Sequence, residues 1–243
     1  MAPALAIRLR DAQVVRDGHR LVGPLTLDIE AGERVVLLGR SGAGKTSALR
    51  LINRLLDPTA GAVLVDGRAT TTWDPVRLRR SIGYVVQEIG LFPHLTVAQN
   101  VELVPRLEGW AQSRRARRAA ELLALVGLPE RDFGRRFPDE LSGGQRQRVG
   151  VARALAADPP ILLCDEPFGA LDPVTRTDLQ REFVDLTARL AKTVVFVTHD
   201  VQEALRVGHR IVVLEGGAVG FAGTARAFSE TDTPAVRELR DRA

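Results

Sequence analysis

The sequence predicts an α/β fold, a parallel sheet with helices on both faces, and three observations carry that expectation. Continuous β-branched and leucine runs, RVVLLG (34–39), ILLCDE (161–166) and TVVFVTHD (193–200), read as strands buried on both faces. Helical stretches such as TRTDLQREFVDLTARLA (175–191) alternate with them, which means parallel strands joined by crossovers. A glycine-rich loop, GRSGAGKT (39–46), leads from the first of these strands into a helix.

The elements follow in order. LAIRLRD (5–11) and PLTLDIE (24–30) alternate apolar and polar residues, as strands of a half-exposed sheet do. After the loop, Ala48, Leu51, Ile52 and Leu55 recur at helical spacing until Asp57-Pro58 stops the run. AVLVDG (62–67) reads as a short strand. The middle, about 91–157, is mostly helical and reads as an inserted lobe. Within it RRARRAAELLALVGLP carries an apolar stripe, with Gly127 and Pro129 as stop signals. Its basic run, Arg114, Arg115, Arg117 and Arg118, reads as a solvated face, with lipid headgroups or a partner as the lesser alternative. RIVVLEGGAVGFAG (210–223) suggests a final hairpin. With no repeat and no linker, residues 1–243 read as one domain.

Composition excludes several classes. The chain is 45% hydrophobic and 26% charged, ordinary for a globular protein. No run of 18 apolar residues would span a bilayer, and MAPALAIRLRDAQ is not a secretion signal. Cys164 has no partner for a disulfide and reads as a small buried filler. These features suggest a soluble cytosolic protein, or one held at a membrane by something else. A net charge of +4 with 5% aromatics makes a weak case for nucleic acid, and none is expected as a partner. Only two of the 34 basic residues are lysines, Lys45 and Lys192. Lys45 sits inside the glycine-rich loop, where a compact ammonium suits better than a planar guanidinium.

The loop has the spacing G-x-x-x-x-G-K-T in the context that spacing needs, after a strand and before a helix. Gly39, Arg40, Ser41, Gly42, Ala43 and Gly44 would curl backbone N–H groups around phosphates, with Lys45, Thr46 and Ser47 opening the helix. Lys45 would reach the β- and γ-phosphates of ATP, and the Thr46 hydroxyl would bind Mg²⁺. Ligands of open parallel sheets sit at strand carboxyl ends, where ILLCDE delivers Asp165 and Glu166. Asp165 would hold Mg²⁺ through water, and Glu166 would deprotonate the attacking water. His199 ends another strand at that edge and is either structural or a γ-phosphate contact; Gln87, after IGYVV, could give the metal a neutral oxygen. LSGGQ (141–145) reads as a second anion site at a helix start, made by Ser142, Gly143, Gly144 and Gln145. One nucleotide already fills the first cradle, so this second one would serve the ATP of another copy, head to tail.

The order GRSGAGKT, Gln87, LSGGQ, ILLCDE, ALD (170–172) and His199 resembles the ATPase subunits of ABC transporters over nearly the whole chain. The resemblance implies a P-loop NTPase fold: a RecA-like parallel core, a small antiparallel β lobe and the helical lobe. It implies ATP-driven homodimerisation beneath two membrane permease subunits, at the cytoplasmic face of the cell membrane. A solute-binding protein would be an indirect partner. Asp172 matches the loop that crosses the dimer axis, and Gln87–Val101 the segment that docks permeases. Leu91, Phe92 and Leu95 there would suit a partner helix, although read alone they are core residues. The wording RLINRLLDPTAG, YVVQEIGLFPHLTVAQNV and VARALAADPPILLCDEPFGALDPVTR looks like ATPases of glycine betaine, choline and carnitine importers. Two departures accompany it. Arg16, near His19, stands where the family usually stacks adenine on an aromatic, and a guanidinium would have to stack instead. The C-terminal regulatory domain common in that branch is not expected. Alternatives are the ATPase of another importer, a non-transport ABC ATPase, or a P-loop kinase or GTPase; LSGGQ speaks against the last.

Overall fold

A computed structural model describes residues 4–87, 90–169 and 171–240. The chain divides into two compact units, Met1–Arg79 with Ala191–Ala243, and Arg80–Leu190. In chain order the first unit carries β1 (Leu5–Arg16), β2 (His19–Glu30), β3 (Arg34–Leu38), α1 (Lys45–Ile52), β4 (Ala60–Val65) and β5 (Arg68–Ala69), and α2 (Pro75–Arg80) leads out of it. The second holds β6 (Ile82–Val85), α3 (Val97–Leu107), α4 (Gln112–Leu125), α5 (Glu130–Phe133), α6 (Gly143–Leu155), β7 (Ile161–Asp165) and α7 (Pro173–Arg189). The first unit is completed by β8 (Thr193–Thr198), α8 (Val201–Val207), β9 (Arg210–Glu215), β10 (Ala218–Thr224), α9 (Ala225–Glu230) and α10 (Pro234–Arg240).

In the first unit the alternating N-terminal stretches form an antiparallel sheet of order β2-β1-β4-β5. The continuous runs behave differently. β3 pairs in parallel with β8 on one side and β9 on the other, so its apolar residues Val35, Val36, Leu37 and Leu38 are all buried. That double burial is why its sequence shows no alternation. Leu38 pairs with Thr198, which brings the loop after β3 and His199 after β8 to one sheet edge. The final hairpin forms as expected, β9 against β10.

One expectation fails in its length. α1 ends at Ile52, and Leu55 lies beyond it, exposed. Arg54 takes a left-handed backbone, φ 54°. Its side chain bonds Asp57 at 2.9 Å and the Trp73 carbonyl at 2.8 Å. Tertiary capture of that arginine overrides local periodicity.

In the second unit β6 and β7 run parallel, Ile82 opposite Ile161 and Val85 opposite Cys164. Gln87 and the pair Asp165–Glu166 therefore leave their strands at one edge. α6 packs on β6, α3, α4 and α7. The basic run of α4 is less solvated than its sequence suggests: Arg115 pairs with Glu102 at 3.2 Å and Arg118 with Asp158 at 3.3 Å. Arg114 stacks over Trp110, 3.5 Å from the ring centre, and Arg117 is exposed.

Candidate functional site

The first unit holds the expected phosphate loop. Gly39 is buried, and a Cβ there would stand 2.5 Å from the Leu214 carbonyl oxygen, so the loop leaves β3 along a path only glycine allows. Gly44 is the N-cap of α1 with φ 92°, and no side chain caps the helix. A glycine in that place brings no capping side chain of its own to the first turn, which opens with Lys45, Thr46 and Ser47, the setting in which helix starts bind anions. Lys45 is only 6% exposed. Its Nζ donates to the Gly39 carbonyl at 2.7 Å and the Arg40 carbonyl at 2.9 Å, across the loop. The Ala43 N–H also donates to the Arg40 carbonyl, at 3.1 Å. The loop is therefore curled and braced by its own lysine. A flat guanidinium could not fill that buried space in the same way. Ser41 and Gly42 are exposed on the curl, and Thr46 and Ser47 are half-buried.

His199 lies exposed beyond β8, between two braced residues. The Asp200 N–H donates to Thr198 Oγ1 at 3.0 Å, and Asp200 caps α8 by accepting from the Glu203 N–H at 3.0 Å. Arg16 faces His19 across the β1–β2 hairpin, both exposed, and Arg16 Nε lies 4.0 Å from Asp17 Oδ2.

The second unit holds the carboxylates. Asp165 is buried at 5% exposure, with the Tyr84 hydroxyl 3.4 Å from Oδ2. Tyr84 was not singled out from sequence; a polar-tipped ring inside an otherwise apolar strand was the available signal. Glu166 has φ 43°, a left-handed conformation uncommon for a glutamate. Such strain, when the surroundings hold it, marks functional positions. Here Phe168 is buried edge-on against Phe183, and the Gly169 N–H closes the turn on the Glu166 carbonyl at 3.2 Å. Gln87 is exposed at the same edge.

At the start of α6, Ser142 is exposed and forms a reciprocal cap with Gln145. Gly144 is accounted for by packing, since a Cβ would approach Thr175 Cγ2 to 3.0 Å. Gly143 is not: the nearest atom to its Cβ would be 3.8 Å away. Among the described residues, then, a glycine with room for a side chain costs helix stability without a packing return. The Gly144–Thr175 approach places the starts of α6 and α7 together. Asp172 caps α7 there by accepting from the Thr175 N–H at 3.0 Å. The Thr175 hydroxyl first, and then this N–H, hold its carboxyl below the usual carboxylate range. Ala170, the first residue of ALD, is outside the described residues, as are Glu88 and Ile89 of the segment after Gln87. Within that segment Phe92 is exposed while Leu91 and Leu95 are half-buried. Buried Asn100 braces it, accepting from the Phe92 N–H at 2.8 Å and donating to the carbonyls of Phe92, Leu95 and Thr96.

The expected metal donors, a threonine hydroxyl, a glutamine amide oxygen and a carboxylate, are hard oxygens that suit Mg²⁺. Among the described residues no cluster of three or more His, Cys, Asp or Glu could cage a metal.

Residues 22–169 match the family described as ABC transporter. The glycine betaine/carnitine/choline transport ATP-binding protein OpuCA of Bacillus subtilis (strain 168) is 52% identical over 214 residues, 88% of this chain and 56% of that protein. The osmoprotectant import ATP-binding protein OsmV of Salmonella typhimurium is 51% identical over 200 residues, 82% of this chain and 52% of that protein. The chain thus spans about half the length of these curated relatives. Among solved structures, a dimeric ATP-binding cassette in a post-hydrolysis state with ADP and Pi superposes with a TM-score of 0.80. It is 37% identical and covers 90% of this chain and 99% of its own.

Proposed function

Because the chain belongs to the ABC transporter family, we propose that it is the ATP-hydrolysing subunit of an importer for an osmoprotectant such as glycine betaine, choline or carnitine. The observation that carries the nucleotide reading is the self-braced loop: a buried lysine spans it, and a helix with a glycine N-cap starts behind it. The solute class rests on the likeness to the importer subunits, because no residue here would touch the solute.

In this reading ATP lies on Gly39–Ser47, with its adenine against the Arg16 hairpin. Thr46, Gln87 and Asp165 hold Mg²⁺, which neutralises charge developing on the phosphates. Glu166 takes a proton from a water that attacks the γ-phosphorus; the bond from that phosphorus to the β-bridging oxygen breaks and ADP leaves. His199 contacts the γ-phosphate and keeps that water in line. Ser142, Gly143, Gly144 and Gln145, with Asp172 beside them, close on the triphosphate of a second copy. The spare room at Gly143 favours an outside partner for that helix tip. Two copies then sandwich two nucleotides, and hydrolysis lets them part.

The segment Gln87–Val101, with Phe92 exposed on an Asn100-braced backbone, docks membrane permeases. The chain works as one nucleotide-binding domain at the cytoplasmic face of the cell membrane, and a solute-binding protein acts on it only through those permeases. Among the described residues no helix is long and apolar enough to cross a membrane. Uptake of labelled betaine, choline and carnitine by cells with and without the gene tests the function. Loss of uptake of one of them, restored by the wild-type gene and not by Lys45→Ala, is the expected result. Unchanged uptake of all three would count against the solute class.

A further inference from the structure

The phosphate loop has an outer wall as well as a cradle. A cleft of about 300 Å³ separates that wall from the last helix of the unit, with Arg40 and Ser41 on one side and Glu215, Ala235 and Glu238 on the other. Across it Arg40 Nη1 donates to Glu238 Oε1 at 2.9 Å. The two partners are anchored differently. Glu238 belongs to α10, which buries Ala235 and Val236; Ala235 sits so close to the sheet that a Cβ on Gly220 would come within 3.0 Å of its own. Arg40 belongs to the loop, and its carbonyl accepts from Lys45 Nζ. So its backbone is part of the cradle while its side chain is turned outward onto a carboxylate.

The ion pair does not shape the loop. Its side chains are 61% and 39% exposed, and exposed pairs contribute little to stability. The Lys45 bonds and the Gly39 path already hold the curl. What the pair controls is charge. A guanidinium is the side chain suited to forked bonds with phosphate oxygens. Here it is committed to an acid, and that acid itself repels a polyanion nearby.

We propose that Glu238 is a positioning residue that holds the Arg40 guanidinium off the phosphates, so that the seating of α10 restrains nucleotide binding at the loop. This rests on the reading of the loop as a nucleotide cradle. Neutralising Glu238, or undocking α10, frees the arginine, and the cleft gives its side chain room to turn. The gain grows with phosphate charge: largest for ATP, smaller for ADP, least for AMP.

The test is calorimetric titration of the full chain with Mg-ATP, Mg-ADP and AMP, for wild type, Glu238→Gln, Glu238→Lys, Arg40→Gln and the Arg40→Gln/Glu238→Gln double variant. Glu238→Gln should tighten ATP binding about two- to fivefold, the span expected of a partly exposed charge pair, with an unchanged thermal midpoint. Glu238→Lys should tighten it further. In the Arg40→Gln background the Glu238→Gln gain should fall by more than half. Unchanged or weaker ATP binding in both Glu238 variants overturns the proposal, as does an equal gain for AMP or a full gain without Arg40. A wild-type chain that binds no ATP overturns the cradle reading and this one with it.

Discussion

Ser142 and Gln145 cap each other: the Gln145 N–H donates to Ser142 Oγ at 3.2 Å, and the Ser142 N–H donates to Gln145 Oε1 at 3.0 Å. The cap satisfies the two outer amides of the turn and sets Gly143 and Gly144 between them. The Ser142 hydroxyl, already an acceptor, keeps its own proton to donate. An exposed helix tip in that state is suited to an anion.

Ser142→Arg should therefore leave nucleotide binding by the monomer unchanged while abolishing ATP-dependent dimers. Sedimentation of the Glu166→Gln and Ser142→Arg/Glu166→Gln chains with Mg-ATP separates the outcomes. Loss of monomer binding would mean that the tip acts on its own chain's nucleotide.

Glu166→Gln should bind ATP, dimerise and turn over about 10²–10⁴-fold more slowly, the usual contribution of a general base. Phosphate release over hours measures it. A rate within about threefold of wild type, far short of that contribution, would remove Glu166 from the role.

Gly39→Ala should weaken both fold and binding. The added methyl meets the Leu214 carbonyl oxygen at 2.5 Å. Overpacking of this kind costs about 1–3 kcal/mol, with roughly 2–4 °C of thermal midpoint per kcal/mol in a chain of this size. Scanning calorimetry reads the shift, and an unchanged midpoint would mean the loop can leave β3 by another path.

His209 gives stability a pH dependence. Its Nδ1 accepts from the Arg34 N–H at 3.3 Å, which only the neutral ring can do. Burial first, then the Arg34 charge, lower its pKa, against the opposing pull of Glu33. The unfolded chain then binds the extra proton more readily, so this contribution is full above about pH 6.5 and falls as pH drops from there towards the folded pKa. Denaturant titrations from pH 7.5 to 5.5 should show a shallower loss of stability in His209→Asn than in wild type. Parallel slopes would contradict this.

Local pattern made much of the architecture readable. β3, β7 and β8 announced double burial by unbroken apolar runs, and the loop before α1 announced itself by glycine spacing and a lysine that escaped an arginine-rich composition. What escaped were consequences of contacts distant in sequence. Arg54 ends α1 early by reaching Trp73. Arg115 and Arg118 are drawn out of the basic face by Glu102 and Asp158. Tyr84 reaches Asp165 only because β6 and β7 are parallel neighbours. Glu166's backbone conformation has no signature in residue type, and Arg40–Glu238 links positions 198 residues apart.

The most direct measurement is a structure of the Glu166→Gln chain crystallised with Mg-ATP. The account expects a dimer in which each triphosphate lies on Gly39–Thr46 of one protomer, with the Ser142 hydroxyl and Gly143–Gly144 amides of its partner within hydrogen-bonding distance of the γ-phosphate. A nucleotide bound with that helix tip in solvent, or turned to its own chain's phosphates, would contradict it.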